Sequence, residues 1–593
     1  MPRRLEPSAG VAEIASLLQA RRLEEARDRC AQLLRTQGDD ATLWNLCGAV
    51  HGMLNDPRET ERCAREAIRL SPGYAQAYNN LGLALRLQGR TEEAIAPLRE
   101  AIRLKPDYAD AYYNLGVALA IERRPDEAIE SYRMAASINS DDVEILNDLG
   151  NLLLETGKAA DATACYQQAI QVRPDYFLAH YNLGNACLEC GQFDKAIAAF
   201  RQALRLNPRH DKAVKNLGVA LEKSGNAEEA ISVNRQALEL RPDDADIHFN
   251  LGNALRRQGC WEEAAKSYRQ SIALNPAHAD AHFNLALIYL ACGHLKDGWK
   301  EYSWQWRREG APLRPTPLTP RDGSDFGGRR VFVYSEQGIG DEIFFLRFAP
   351  ELKRRGAGHI TYRASPKIAS VLERVEFIDR IAPPNDLPGM DDVALALCDL
   401  PLITGTTDVR PPFPLLPLAM QTEAIRQRLG ALGPAPYIGV TWRAGTPEKE
   451  LVLCKESPLA RLAHTFRSVP ATILVLQRQP RAGEIEAFVK EMGRPAHDLS
   501  ALNDDLESML ALLSLLDDYV GVSNTNMHLR AGVGKTARVL VPAPPEWRWM
   551  AEGKESPWFP GFGVYRQGYD GSWEGAFGML VADLRQTFPA GTA

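Results

Sequence analysis

Nowhere in its 593 residues does this chain hold a run of 18 apolar residues, so the sequence predicts no membrane-spanning helix. The opening residues Met1-Pro2-Arg3-Arg4-Leu5-Glu6-Pro7 carry two arginines with no apolar core behind them, which argues against a secretory leader. An excess of positive charge is missing too. The net charge is −7, whereas a nucleic-acid partner calls for a basic face. Ten cysteines are scattered through the chain. The CxxC formed by Cys187 and Cys190 falls where other repeats hold Leu119, Leu153 and Leu221, so it reads as core packing and not as metal or redox chemistry. A cytoplasmic protein without a nucleic-acid partner or a membrane span is the expectation.

Two familiar glycine motifs fail on inspection. Gly338-x-Gly340 lacks the third glycine of a dinucleotide fingerprint, with Ile343 in its place. Gly532-Val533-Gly534-Lys535-Thr536 imitates the end of a P-loop, yet Leu529 stands where the first glycine belongs, and the segment precedes a strand. No DxD occurs at a strand end. Asp504-Asp505 and Asp517-Asp518 read as caps or strand flanks, so neither a metal nor a bound cofactor is expected.

What the chain does have is repetition. Gly48, Gly82, Gly116, Gly150, Gly184, Gly218, Gly252 and Ala286 are each 34 residues apart. Pro72, Pro106, Pro174, Pro208, Pro242 and Pro276 keep the same period, with Ser140 filling the gap, as do Ala94, Ala128, Ala162, Ala196, Ala230 and Ala264. A period of 34 is that of tetratricopeptide repeats, each a helix–turn–helix. The small residues let paired helices approach, the prolines separate one repeat from the next, and Gly157, Gly191, Gly225, Gly259 and Gly293 mark the turn inside each pair. The array is expected over about residues 11–293, as roughly eight regular units with 11–38 as an atypical cap.

A further register sits two residues before the small one: Asn80, Asn114, Asp148, Asn182, Asn216, Asn250 and Asn284. Its place on the first helix puts it on the concave face of such a superhelix. An Asn amide offers a donor and an acceptor, which suits the backbone of an extended acceptor polypeptide. The alternative is that each Asn only bonds within the repeats. The arrangement resembles the asparagine ladder of the protein O-GlcNAc transferases, which implies an acceptor protein held in the groove.

Past Gly293, the aromatic stretch Asp297 to Arg308 reads as a helix that closes the last repeat and docks it onto the C-terminal region. Pro312, Pro315, Pro317 and Pro320 then mark a linker. The expected domains are 1–310 for the repeats, 311–328 for the linker, 329–420 and 421–593 for two α/β halves. Strands are expected at 331–335, 359–363, 377–381 and 393–397, and again at 437–441, 472–476, 518–522 and 539–541, with a helix over 344–355. Strands alternating with helices predict parallel sheets. The fold class is therefore α plus α/β, an all-α superhelix followed by a GT-B-like pair of Rossmann-like halves with a cleft between them.

Glu336-Gln337-Gly338-Ile339-Gly340-Asp341 resembles the GlyAsp loop of lipopolysaccharide heptosyltransferases, and Val522-Ser523-Asn524-Thr525-Asn526-Met527-His528 resembles their phosphate-receiving strand-to-helix loop. Asn524 and Asn526 depart from that loop, where the family commonly has Asp and Gly. The resemblance to bacterial repeat-bearing glycosyltransferases, including flagellin-modifying ones, implies Asp341 as the catalytic base. It implies Gly338, Gly340, Arg443, Lys455, Asn524, Thr525, Asn526 and His528 as the donor-binding set. A helix N-terminus does favour anions. Asp341 also reads as a helix N-cap, and His528 as a structural histidine. The implied function is metal-independent protein O-glycosylation, a nucleotide sugar (a nonulosonic acid among the options) being transferred to Ser or Thr of a partner such as flagellin. The alternatives are an interaction scaffold whose transferase-like domain is inactive, and a lipopolysaccharide glycosyltransferase.

Overall fold

The computed structural model of the chain describes residues 9–311, 326–335, 338–444 and 455–589. Most of the expected linker, together with Glu336, Gln337 and Gly445, lies outside the described residues. The chain forms two compact units, Met1–Leu240 and Arg241–Ala593.

The first unit is all helix, from Ala9–Gln19 to Ala227–Leu240, arranged as seven antiparallel pairs among the described residues. The glycine register works through close approach. A Cβ at Gly116 would stand 2.8 Å from the Tyr132 ring, and one at Gly184 2.5 Å from that of Phe200. Gly82, Gly116, Gly150 and Gly184 thus open room for a large side chain 16 residues on, from the second helix. Turns inside the pairs need a left-handed residue. Gly157 and Gly191 supply it, while Asn55 and Arg123 take φ of 60° and 57° where no glycine is present. Asp40 and Asp142 cap first helices by accepting from backbone N–H groups two and three residues on. First helices of successive pairs pack on one another, Ala41–Met53 on Ala75–Leu87 and Val143–Glu155 on Phe177–Glu189, which makes them the inner wall of this unit.

The second unit opens with two more helix pairs, Ala245–Arg257 with Trp261–Leu274 and Ala279–Ala291 with Leu295–Tyr302. Twelve strands follow among the described residues: β1 (Arg330–Tyr334), β2 (His359–Arg363), β3 (Arg380–Ala382), β4 (Val393–Ala396), β5 (Tyr437–Thr441), β6 (Arg443–Ala444), β7 (Lys455–Glu456), β8 (Thr472–Val475), β9 (His497–Asp498), β10 (Asp518–Val522), β11 (Arg538–Val541) and β12 (Gly563–Arg566). They build a four-stranded sheet in the order β3-β2-β1-β4, a six-stranded sheet in the order β12-β11-β10-β5-β8-β9, and the ribbon β6-β7. All pairs in the two larger sheets are parallel. Parallel sheets, as expected, carry near-continuous apolar strands: β10 is buried along its whole length.

The C-terminal region is therefore mixed α/β with parallel sheets. Several boundaries differ from expectation. The helix expected over 344–355 is two, Ile339–Leu346 and Pro350–Arg354, because Pro350 supplies no N–H to continue the first. β9, β12 and the short ribbon went unread, being of two to four residues and lacking an alternating pattern.

One apolar core joins the last helix pair to the sheets. Trp299 is fully buried, with ring centroids 5.4 Å from Trp547, 5.9 Å from Phe348 and 6.1 Å from Trp558. Tyr302, Leu290 and the β1 residues belong to the same core, and the Ala551 N–H donates to Ala291 O at 2.9 Å. The aromatic stretch after Gly293 thus docks the final repeat, as its composition suggested.

Candidate functional site

In the six-stranded sheet, β5 and β10 are neighbours, and the chain leaves them towards opposite edges, β5 to β8 and β10 to β11. Such a switch leaves a crevice beyond the strands' C-terminal ends. A cleft of about 430 Å³ lies there, lined by Thr441 and Arg443 after β5, by Ser523 to Asn526 after β10, and by Gly338 to Asp341 after β1. The sequence-predicted residues Gly338, Gly340, Asp341, Arg443, Lys455, Asn524, Thr525, Asn526 and His528 all line this one cleft.

Each owes its place to local structure. Asn524 is the N-cap of the helix Thr525–Gly532, its Oδ1 accepting from Met527 N–H at 3.2 Å, while its Nδ2 donates to Tyr519 Oη at 2.9 Å. Asn526 Nδ2 donates to Asn503 Oδ1 at 3.3 Å. Asn in place of Asp and Gly therefore builds an amide network around the helix start. Gly340 sits against the histidine: a Cβ there would stand 3.3 Å from His528 Cδ2. His528 is 5% exposed, held edge-on against Phe344 and Phe559. Burial, with Arg548 and Arg347 nearby, pushes its pKa well below the ordinary value, so the ring is neutral. Its Nδ1 is buried without a hydrogen-bond partner among the described residues.

The charges of the cleft other than Arg478 are paired. Arg548 bridges Asp341 and Glu546, and Lys455 Nζ stands 2.9 Å from Glu546 Oε2. Burial alone would raise the Glu546 pKa, but Lys455 and Arg548 outweigh it and hold the carboxyl far below the usual range. Arg443 lies 3.2 Å from Glu484 Oε2, and Trp442 Nε1 bonds the other oxygen of that carboxylate at 2.8 Å. Arg478, on the rim, makes no hydrogen bond or ion pair through its guanidinium with the described residues. Sequence reasoning missed Glu546, Arg548, Arg478 and Asn503 as cleft residues. The acid–base pair Glu546/Arg548, two apart in an aromatic segment just after β11, was the available signal.

Asp341 is not the N-cap of its helix. Gly338 holds that position, and the Asp341 carboxylate turns to Arg548 instead. Among the described residues, no group of three or more His, Cys, Asp or Glu could hold a metal ion.

The asparagine register bonds from repeat to repeat. Asn80 Nδ2 donates to Asn45 Oδ1 and Asn114 Nδ2 to Asn79 Oδ1, both at 2.9 Å. Asn182 donates to Asn147 and Asn151, Asn216 to Asn185, and Asn284 to Asn253. Asp148 accepts from Tyr113 Oη at 2.8 Å. Asn250, 9% exposed, makes no side-chain bond with the described residues.

Comparison with known proteins bears on the repeats. A model described as TPR repeat matches residues 82–120, 150–189 and 252–293. Models described as tetratricopeptide repeat match 188–245, 109–142, and 63–96 with 234–266. Protein FlbA of Caulobacter vibrioides is 27% identical over 332 residues, a match spanning 51% of this chain and 54% of that protein. The chain thus spans about half the length of this curated relative. Among solved structures, Pseudomonas aeruginosa pilF is 27% identical, covering 34% of this chain and 92% of its own, with a TM-score of 0.29. YrrB, a TPR protein with an unusual peptide-binding site, is 23% identical over 31% of this chain and 95% of its own, with a TM-score of 0.30.

These findings correct the expectation of a glycosyltransferase. The family models that match describe the tetratricopeptide repeat, and the curated relative, Protein FlbA, is not a transferase by name. The GT-B pair, sugar transfer from a nucleotide donor, flagellin modification and the lipopolysaccharide alternative fall together. The Asp341 carboxylate is paired with Arg548. The N-terminal part of the chain is an all-α superhelix of tetratricopeptide repeats.

Proposed function

We propose that the chain is an interaction scaffold of the cytoplasm, whose repeats hold a partner polypeptide along their inner wall. The observation that carries this is the polar register on the first helices of the first unit, Asn80, Asn114, Asp148, Asn182 and Asn216, on the wall where those helices pack on one another, with Asn250 and Asn284 holding the same register in the second unit. Tetratricopeptide arrays mediate protein binding through such surfaces. The division into 1–310, 311–328, 329–420 and 421–593 remains our proposal for the domains encoded in the sequence.

A second site is favoured by a separate observation, the partnerless buried Nδ1 of His528, whose ring lines the cleft beside a helix N-terminus. In our reading this cleft holds a small anionic ligand through Arg478, Lys455, Arg443, the Asn524–Asn526 turn and His528, with Gly338 and Gly340 keeping the opposite wall low. The ligand is held there as an effector or as part of the scaffold, with no group transfer assigned.

Hydrogen–deuterium exchange on the full chain, with and without peptides bound, tests the main reading. Protection is expected on the first helices, such as Phe177–Glu189 and Asp211–Lys223. Protection confined to second helices, or to the α/β region, would overturn it.

A further inference from the structure

The second helices of the repeats carry a charge register with one break. Arg65, Arg99, Arg133, Arg201, Arg235 and Arg269 keep the 34-residue period, and 28 residues after each comes an acid: Glu93, Glu127, Asp161, Glu229, Glu263 and Asp297. Between the third and fourth of these pairs the same two positions hold Gln167 and Lys195. In the first unit the pairs bridge neighbouring second helices. Arg99 Nη2 stands 2.9 Å from Glu127 Oε2 and Arg133 Nη2 3.3 Å from Asp161 Oδ2, and Arg201 pairs with Glu229. All six side chains are about half exposed, and an exposed pair adds little to stability. Losing one rung therefore costs the fold little. What changes at the break is the surface.

Gln167 lies on the helix Ala159–Val172 and Lys195 on the helix Phe193–Leu206. A groove of about 480 Å³ runs between these two helices, lined by Gln167 and Lys195 and by the apolar side chains of Ile170, Leu183, Cys187 and Ala199. Cys187 and Ala199 are buried, while Ile170 and Leu183 are half-buried. Lys195 is exposed, and its ammonium makes no hydrogen bond or ion pair with the described residues. The hollow against the helix Thr91–Leu104, where the register is unbroken, carries Arg99, Glu100, Arg103 and Arg124 on its lining, all of them in ion pairs. The break thus replaces a charged, internally paired surface with an apolar groove beside a free cation.

We propose that this groove is a docking site for a partner protein that presents a carboxylate beside an apolar side chain. The carboxylate meets the Lys195 ammonium, and the apolar side chain is buried against Ile170, Leu183, Cys187 and Ala199. Charge complementarity fixes the sign. Arg133 and Arg201 in the flanking rungs already hold acids of the chain itself, so Lys195 is the cation left to draw an acid from outside. The rim charge selects and orients the partner, while the buried apolar contact supplies most of the affinity. The groove lies between second helices, so this inference does not depend on the inner wall of first helices.

The test uses the full chain and a set of synthetic peptides. Each holds one Leu and one Glu at a varied spacing in a Gly/Ser background, and the controls carry Leu→Ser or Glu→Gln. The double variant Q167R/K195E rebuilds the rung that the other junctions carry, so its thermal midpoint should equal or exceed that of the wild type. At the best spacing the wild type should bind the Leu/Glu peptide about 10-fold tighter than the Leu→Ser control. The gap to the Glu→Gln control should be about 2- to 5-fold at low salt, as one buried apolar side chain and one exposed ion pair imply. Q167R/K195E should lose about 10-fold, because the reversed charge repels the peptide carboxylate. Equal binding by wild type and Q167R/K195E overturns the inference, as does a Glu→Gln peptide that binds like its parent. Decanoate bound where no peptide binds would give the groove to a small amphipathic acid and overturn it too. So would self-association of the wild type that Q167R/K195E abolishes, which would give it to a second copy of this chain.

Discussion

His528 shows how a single residue advertises a site. Its ring is buried against aromatic edges, two guanidinium groups stand near it, and one nitrogen has no partner. A buried imidazole without a bond costs stability that a bland apolar residue would not, and it carries a pH signature. The unfolded chain binds a proton below about pH 6.5, whereas the folded ring resists it. The residue's effect is therefore absent above that pH and grows as pH falls, by about 1.4 kcal/mol per pH unit at most, until the folded ring also protonates. His528→Gln should remove this part of the dependence. Between pH 7.5 and 5.5 the wild type should lose more of its thermal midpoint than the variant. Parallel curves for the two would show that the ring is not held neutral. Nothing in the sequence alone could have given the direction. It comes from Phe344, Phe559, Arg347 and Arg548, which lie up to about 200 residues away along the chain.

At the scale of elements, legibility followed periodicity. Three registers with a 34-residue period placed the helix pairs, because each glycine, proline and alanine answers a local steric demand that recurs unchanged. Long apolar strands such as β2, β5 and β10 were placed to the residue, while β9 and the β6–β7 ribbon escaped, being two residues long and set by tertiary contacts. The cleft was half-legible. Turns after β1, β5 and β10 could be read from strand-to-helix chemistry, but Arg478, Asn503, Glu546 and Arg548 reach the cleft from segments with no local mark of it. The asparagine ladder was legible as a register and not as a network, since a partner 31 or 35 residues back appears only when repeats stack. That network makes a contrast measurable. Asn182→Ala removes two bonds, to Asn147 and Asn151, and should cost about 1–3 kcal/mol. Asn250→Ala, at the same register, removes none and should cost under about 0.5 kcal/mol. Denaturant unfolding followed by helix signal ranks the two. Equal losses would mean that burial and not the amide chain sets the stability of these positions.

For the molecule as a whole, the two compact units set how it should unfold. A solenoid's stability is nearly a sum of neighbour contacts, whereas the α/β region and the last helix pair share one closed core. Trp299 is the place to separate them. Its ring meets Phe345, Phe348, Trp547 and Trp558 within about 6 Å, and together these tie a repeat helix to segments after β1 and β11. Trp299→Ala leaves a cavity that this crowded aromatic cluster refills poorly, at a cost of about 3–5 kcal/mol. Residues 241–589 should then lose exchange protection and melt earlier, while helices between Ala41 and Leu240 keep their wild-type protection, because none of their own contacts has changed. Calorimetry should accordingly show one transition moving and one standing still. A single transition that shifts as a block would establish instead that the two units unfold as one cooperative body, with the repeat array drawing its stability from the α/β core.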